Sequence, residues 1–186
     1  MGEVIDTIKK EKIMSEVYDI LKSAKESPET RKEKNISNCN YSARYYNGDF
    51  YIHVYFMLDT ECLIDFNTVS SENLIDIEAI RVSENLQGKG IGNLLFGFLD
   101  ASIEIINSLG MNEICKIIGE LSIFESPYDE FEKSIPFYKK QAKTRNWEIF
   151  FYKFDEINCQ EIKMNEKQIE LFMKNKELNG RFEMIL

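Results

Sequence analysis

Proline and glycine are scarce in this chain of 186 residues, with three of the first and nine of the second. That excludes long proline-rich or glycine-rich linkers. A single histidine, His53, excludes a histidine-rich metal site, and no metal is expected. The four cysteines, at 39, 62, 115 and 159, form no C-x-x-C pair, so neither a zinc site nor a thioredoxin-like centre is expected. No apolar run approaches the ~18 residues of a membrane span. The opening Met1-Gly2-Glu3-Val4-Ile5-Asp6 has neither the basic region nor the apolar stretch of a signal peptide. The expected location is the cytoplasm, with reduced thiols and no membrane partner. Without a secretion signal, the glycosylation triplets Asn35-Ile36-Ser37 and Asn40-Tyr41-Ser42 read as chance matches. Positive charge is also in deficit: 23 basic residues face 32 acidic ones, for a net charge of −9. A nucleic-acid partner is therefore not expected. The acidity fits a cationic small molecule or basic peptide, or serves solubility alone.

What is present is a core. Hydrophobic residues make up 44% of the chain, with 13 Phe and nine Tyr, which points away from disorder. Residues 3–26 read as a helix, with Ile13, Val17, Ile20, Leu21 and Ala24 at helical spacing. Pro28 and the polar run Glu29–Asn38 read as a loop. Tyr41–Tyr46 reads as a strand closed by the turn residues Asn47-Gly48. Phe50, Ile52, Val54, Phe56 and Leu58 alternate with Tyr51, His53, Tyr55 and Met57, a long strand pattern. Cys62–Val69 and Leu74–Val82 extend an antiparallel meander. The period then changes. Ile91, Leu94, Leu95, Phe98, Leu99, Ser102, Ile103, Ile106 and Leu109 follow a 3.6-residue repeat, with Gly110 as C-terminal cap. Further on, 113–124 reads as a buried strand and Ser126–Tyr128 as a break. Ile135–Thr144 reads as a short helix, Trp147–Phe154 as a strand and Asn165–Leu178 as a helix. Asn179-Gly180 and a strand over Phe182–Leu186 close the chain.

The chemistry lies between a strand and a helix. Leu74–Val82 runs through Ser83–Leu86 into Gln87-Gly88-Lys89-Gly90-Ile91-Gly92, which opens the long helix. Glycines permit positive φ and close approach of a ligand. Unpaired N–H groups and the positive end of the helix dipole favour an anion, above all a phosphate. Lys89 adds a positive charge. The segment is not a P-loop, since Gly90 stands where Ser or Thr must follow Lys89. Nor is it the G-x-G-x-x-G fingerprint, since Asn93 occupies the third glycine position. Taken alone, it reads equally as a tight strand-to-helix connection.

Gln87-x-x-Gly90-x-Gly92, after Ile80-Arg81-Val82 and before a long amphipathic helix, resembles the Q/R-x-x-G-x-G/A motif of the GNAT superfamily of N-acetyltransferases. Ile135-Pro136-Phe137-Tyr138-Lys139-Lys140 resembles the Phe-Tyr segment of that family's late helix, with Asn146-Trp147 where Gly-Phe usually follows. The resemblance covers roughly 3–154, with its specific core at 74–109. It implies a mixed α/β fold, with a mostly antiparallel central sheet flanked by helices. It also implies a domain over 1–154, with 155–186 as an extension packed on it. Acetyl-coenzyme A is the implied co-substrate. Its pantetheine arm would pair with the backbone at Ile80, Arg81 and Val82, and its pyrophosphate would lie on Gln87, Gly88, Lys89, Gly90, Ile91, Gly92 and Asn93. An acetyl group would pass directly to a primary amine of a small molecule or peptide.

Transfer to an amine requires that an ammonium group, with pKa near ~10.4 if lysine-like, lose a proton. Strand alternation would put Asp76, Glu78, Ile80 and Val82 on one face. Glu78 is then the leading base and Asp76 the second; the alternative is that each serves as a cross-strand partner for Lys or Arg. By the resemblance, Tyr138 would protonate the leaving thiolate; the alternative is a packed aromatic. His53 shares its face with Tyr51 and Tyr55, and reads either as lining a substrate cleft or as a partly exposed strand residue. A coenzyme-A-binding module without catalysis remains the other functional class, and exchange of the tail leaves a homodimer open.

Overall fold

The computed structural model describes residues 2–110, 113–122, 131–155, 157–175 and 179–186. Its contacts divide it into two compact units, Met1–Ile114 and Cys115–Leu186.

The first unit is a meander against two helices. Its strands are β1 (Lys32–Ile36), β2 (Cys39–Tyr46), β3 (Asp49–Phe56), β4 (Asp59–Val69) and β5 (Leu74–Arg81). Each pairs antiparallel with the next. The helices are α1 (Gly2–Glu26) and α2 (Ile91–Ser108). One sheet face, including Tyr41, Ala43, Ile52, Val54, Ile64, Phe66 and Ile77, is buried. It meets Val17, Leu21 and Ala24 of α1, and Leu95, Phe98 and Leu99 of α2, in the core. Full burial of each large side chain contributes roughly 1.5–3 kcal/mol. The Tyr41 hydroxyl lies 2.8 Å from Ser102 Oγ, which donates to the Phe98 carbonyl, so a buried polar clamp joins β2 to α2. Burial pushes the Tyr41 phenol well above its ordinary pKa. At the far end of α2, Lys25 Nζ donates to the Leu109 carbonyl, and Gly110 turns away at φ +70°.

The second unit contains β6 (Lys116–Ser122), α3 (Phe131–Arg145), β7 (Glu148–Asp155), β8 (Gln160–Lys163), α4 (Glu166–Asn175) and β9 (Asn179–Ile185). The last strand lies between β6 and β7 and pairs antiparallel with both, and β8 pairs with β7. Residues past 154 thus supply an interior strand here. At Gly180 an added Cβ would come within 2.8 Å of Phe172 and of the Tyr152 carbonyl, so only glycine fits between β7 and α4.

The fold is mixed α/β with antiparallel strands, as the sequence predicts. It differs in detail. The polar run read as a loop contains β1, whose Lys-Glu-Lys-Asn-Ile sequence pairs through its backbone at a sheet edge. Leu58 sits in the β3–β4 turn and is exposed rather than part of β3. The break read at Ser126–Tyr128 lies outside the described residues. Among the described residues no helix is long and apolar enough to cross a membrane.

Candidate functional site

From the end of β5 the chain makes a 3₁₀ turn over Glu84–Leu86 and enters α2 at Gly90. Leu86 N donates to Ser83 O at 2.8 Å and Gln87 N to the same oxygen at 3.1 Å, and Lys89 N donates to Leu86 O at 3.3 Å. Gly88 has φ +75° and Gly90 φ +86°, in the left-handed region that side chains strain. A Cβ at either would meet nothing within 4 Å, so backbone twist rather than crowding demands glycine, and the space above both is open. Gly90 caps α2 without a side chain, and its carbonyl accepts from Leu94 N at 3.0 Å. The helix therefore starts with amides that no capping side chain covers, which is the condition for receiving an anion. Lys89 and Asn93 are exposed beside it.

Two side chains fasten the turn. Gln87 Nε2 donates to the Val82 carbonyl at 3.3 Å, folding back over the end of β5. Beneath it, Cys62 of β4 holds Ser83: its sulfur accepts from Ser83 N at 3.2 Å and lies 3.4 Å from Ser83 Oγ. The sequence marks Cys62 as a reduced thiol at the start of a strand and not as a partner of the turn. No local signal marked it, because its partner lies on the next strand's exit.

The carboxylates are not arranged as alternation predicts. Asp65 of β4 faces Ala79, while its neighbour Phe66 faces Ile77, so Glu78 is the extra residue of a β-bulge. Asp76 pairs with Asn67 on one face and Ile80 with buried Ile64 on the other, and Val82 lies beyond the strand. The single face expected for Asp76, Glu78, Ile80 and Val82 is therefore corrected: the bulge turns the phase of β5 between Ile77 and Ile80. The open face carries Asp65, Asn67, Asp76, Ala79 and Arg81, with exposed Glu78 at the bulge. Partial desolvation, reinforced by the negative charges of Asp65 and Asp76, raises the Glu78 pKa above the ordinary glutamate value.

Along the same face, His53 of β3 sits opposite Asp65, and its Nδ1 pairs with Asp65 Oδ1. Its ring lies 5.5 Å from that of Tyr55. Asn67 Oδ1 accepts no hydrogen bond although buried. The structure thus groups the glycine turn, Glu78, Asp76 and the His53–Asp65 pair in the first unit.

Tyr138 belongs to the second unit. It lies on α3, is 5% exposed, and stacks on Phe182 of β9 with ring centroids 4.1 Å apart. Phe137 meets it edge-on. This ring packing contributes to its burial.

No family model matches the chain, and no curated protein matches it. Among solved structures it is similar to nourseothricin acetyltransferase, at 13% identity over 74% of this chain and 64% of that one, with TM-score 0.41. It is also similar to the ribosomal-protein-S18-alanine N-acetyltransferase of Escherichia coli, at 10% identity over 75% of this chain and 69% of that one, with TM-score 0.38. A Bacillus subtilis acetyltransferase in complex with CoA aligns over 92% of both chains at 20% identity and TM-score 0.35. The chain spans 64% of the length of the first of these.

Proposed function

We infer that this protein is an acyltransferase that moves an acetyl group from acetyl-coenzyme A to a primary amine. The observation that carries the inference is the passage from β5 through two left-handed glycines into an α2 without a side-chain cap. Helix-start amides and Lys89 would hold the pyrophosphate, and the backbone at Ile80–Val82 would hold the pantetheine arm.

Glu78 is the leading general base and Asp76 the second. A bulge residue whose carboxyl pKa is raised holds a proton more readily than an ordinary glutamate, which suits it to proton exchange. The acceptor is a cationic amine: three carboxylates and the free acceptor Asn67 Oδ1 share one open face with Arg81, in a chain of net charge −9. Tyr138 remains the candidate to protonate the thiolate.

The test is thiol release from acetyl-coenzyme A against polyamines, aminoglycosides and lysine peptides. Release that depends on amine supports transfer. Coenzyme A binding without release from any amine favours the non-catalytic binding module instead.

A further inference from the structure

The open sheet face of the first unit holds a side-chain pair that the carboxylate assignment does not use. Cross-strand register puts Ser42, His53, Asp65 and Ala79 in one row across β2, β3, β4 and β5. His53 Nδ1 is taken by Asp65 Oδ1, and the two side chains are 32% and 30% exposed. The row ends beside Glu78 and one residue before Ile80. Two strand spacings, about 10 Å in all, separate the His53 and Ala79 backbones. Carboxylate on one nitrogen fixes the tautomer and leaves Nε2 as a proton acceptor.

We propose that His53, oriented by Asp65, accepts the proton of the acceptor's ammonium group, while Glu78 handles the proton released during acyl transfer. This rests on the acyl-transfer reading above. His53 Nε2 takes one proton from R–NH₃⁺ and later discharges it to solvent. The neutral amine attacks the thioester carbonyl, forming the N–C bond. Glu78 takes a proton from the resulting ammonium adduct and returns it to solvent, the C–S bond breaks with its electron pair on sulfur, and the thiolate takes a proton from Tyr138, which solvent then re-protonates. The balance is ammonium plus acetyl thioester giving amide, thiol and one proton in solution. His53 is a catalytic residue in this scheme and Asp65 a positioning residue.

Imidazole is suited to the first step because its free ring nitrogen can accept a proton and pass it on to solvent. Other charges face it. Arg31 Nε donates to Ser42 Oγ, and Glu33 of β1 pairs with Ser42. Arg44 lies on β2; Asp76, Glu78 and Arg81 lie on β5. Tyr51 and Tyr55 flank His53 on β3.

The experiment compares wild type, His53→Gln, Asp65→Asn and Glu78→Gln, with spermidine and a lysine peptide as amine probes and coenzyme A affinity measured alongside. His53→Gln should lower kcat by roughly 10²-fold at pH 7. The loss should shrink to a few-fold near pH 9.5, where the amine supplies its own neutral form, with coenzyme A affinity unchanged. Asp65→Asn should follow the same pH pattern, and the Glu78→Gln defect should persist at high pH. As the sole histidine, His53 gives one set of ¹⁵N imidazole signals, which should report Nδ1–H in wild type and lose that tautomer in Asp65→Ala. A pH-independent His53→Gln defect, full activity, or an Nε2–H tautomer in wild type overturns the proposal while leaving acyl transfer intact. A wild type that neither binds coenzyme A nor acetylates either amine overturns the acyl-transfer reading, and the dyad's role with it.

Discussion

At Glu78 the environment favours the protonated carboxyl, through desolvation first and then through Asp65 and Asp76. The consequence for stability has a sign. A carboxyl whose folded pKa lies above its unfolded value contributes stability below the unfolded pKa and loses it as pH rises through the folded value. Glu78→Gln should therefore melt above wild type at pH 7, with the difference closing below about pH 4. The same substitution should lower kcat by roughly 10²–10⁴-fold with little change in coenzyme A affinity. Wild-type turnover in Glu78→Gln, with loss in Asp76→Asn, would exchange the roles of the two carboxylates. Tyr138→Phe separates packing from chemistry. Phe keeps the stack on Phe182, so the melting temperature should hold, while kcat should fall for want of a donor to sulfur. Equal kcat, within about twofold, would leave Tyr138 a packed ring and no more.

The elements position these residues, and the clamp between β2 and α2 is the first to test. Tyr41→Phe removes the hydroxyl from the buried pair with Ser102 and should cost about 1–2 kcal/mol by urea unfolding with an unchanged slope. An unchanged midpoint would mean that apolar contacts alone hold α2 to β2. The elements with strong periodicity were legible in the sequence. Six of the nine buried side chains along α2, Leu95, Phe98, Leu99, Ser102, Ile103 and Ile106, belong to its 3.6-residue repeat, and β3 alternates as its apolar residues do. The edge strands β1 and β8 were not, because Lys-Glu-Lys-Asn-Ile and Gln-Glu-Ile-Lys carry no alternation and are held by backbone pairing. The bulge was missed although a trace of it exists: apolar positions 75 and 77 are followed by 80, a phase slip of one residue. That slip separates Asp76 from Ile80 and makes Glu78 the odd residue out. The His53–Asp65 pair was illegible for a different reason. Twelve residues separate the two, and only the β3–β4 register brings them opposite one another.

At the scale of the whole chain, the first unit carries the glycine turn, Glu78, Asp76 and the His53–Asp65 pair, and the second is completed by the chain's last strand. The central claim is that the β5–α2 turn receives the phosphates of coenzyme A. A ligand that binds only the folded state stabilises it, by about 2.7 kcal/mol at a hundred times its dissociation constant. Calorimetric titration of coenzyme A into wild type and Gly90→Asp, with melting curves of both, tests this most directly. Aspartate at Gly90 puts a negative charge into the open space above a left-handed residue. Wild type should bind saturably and melt higher with ligand, and the variant, still folded, should do neither. No heat and no shift for wild type at millimolar coenzyme A, or equal binding by Gly90→Asp, would contradict the account.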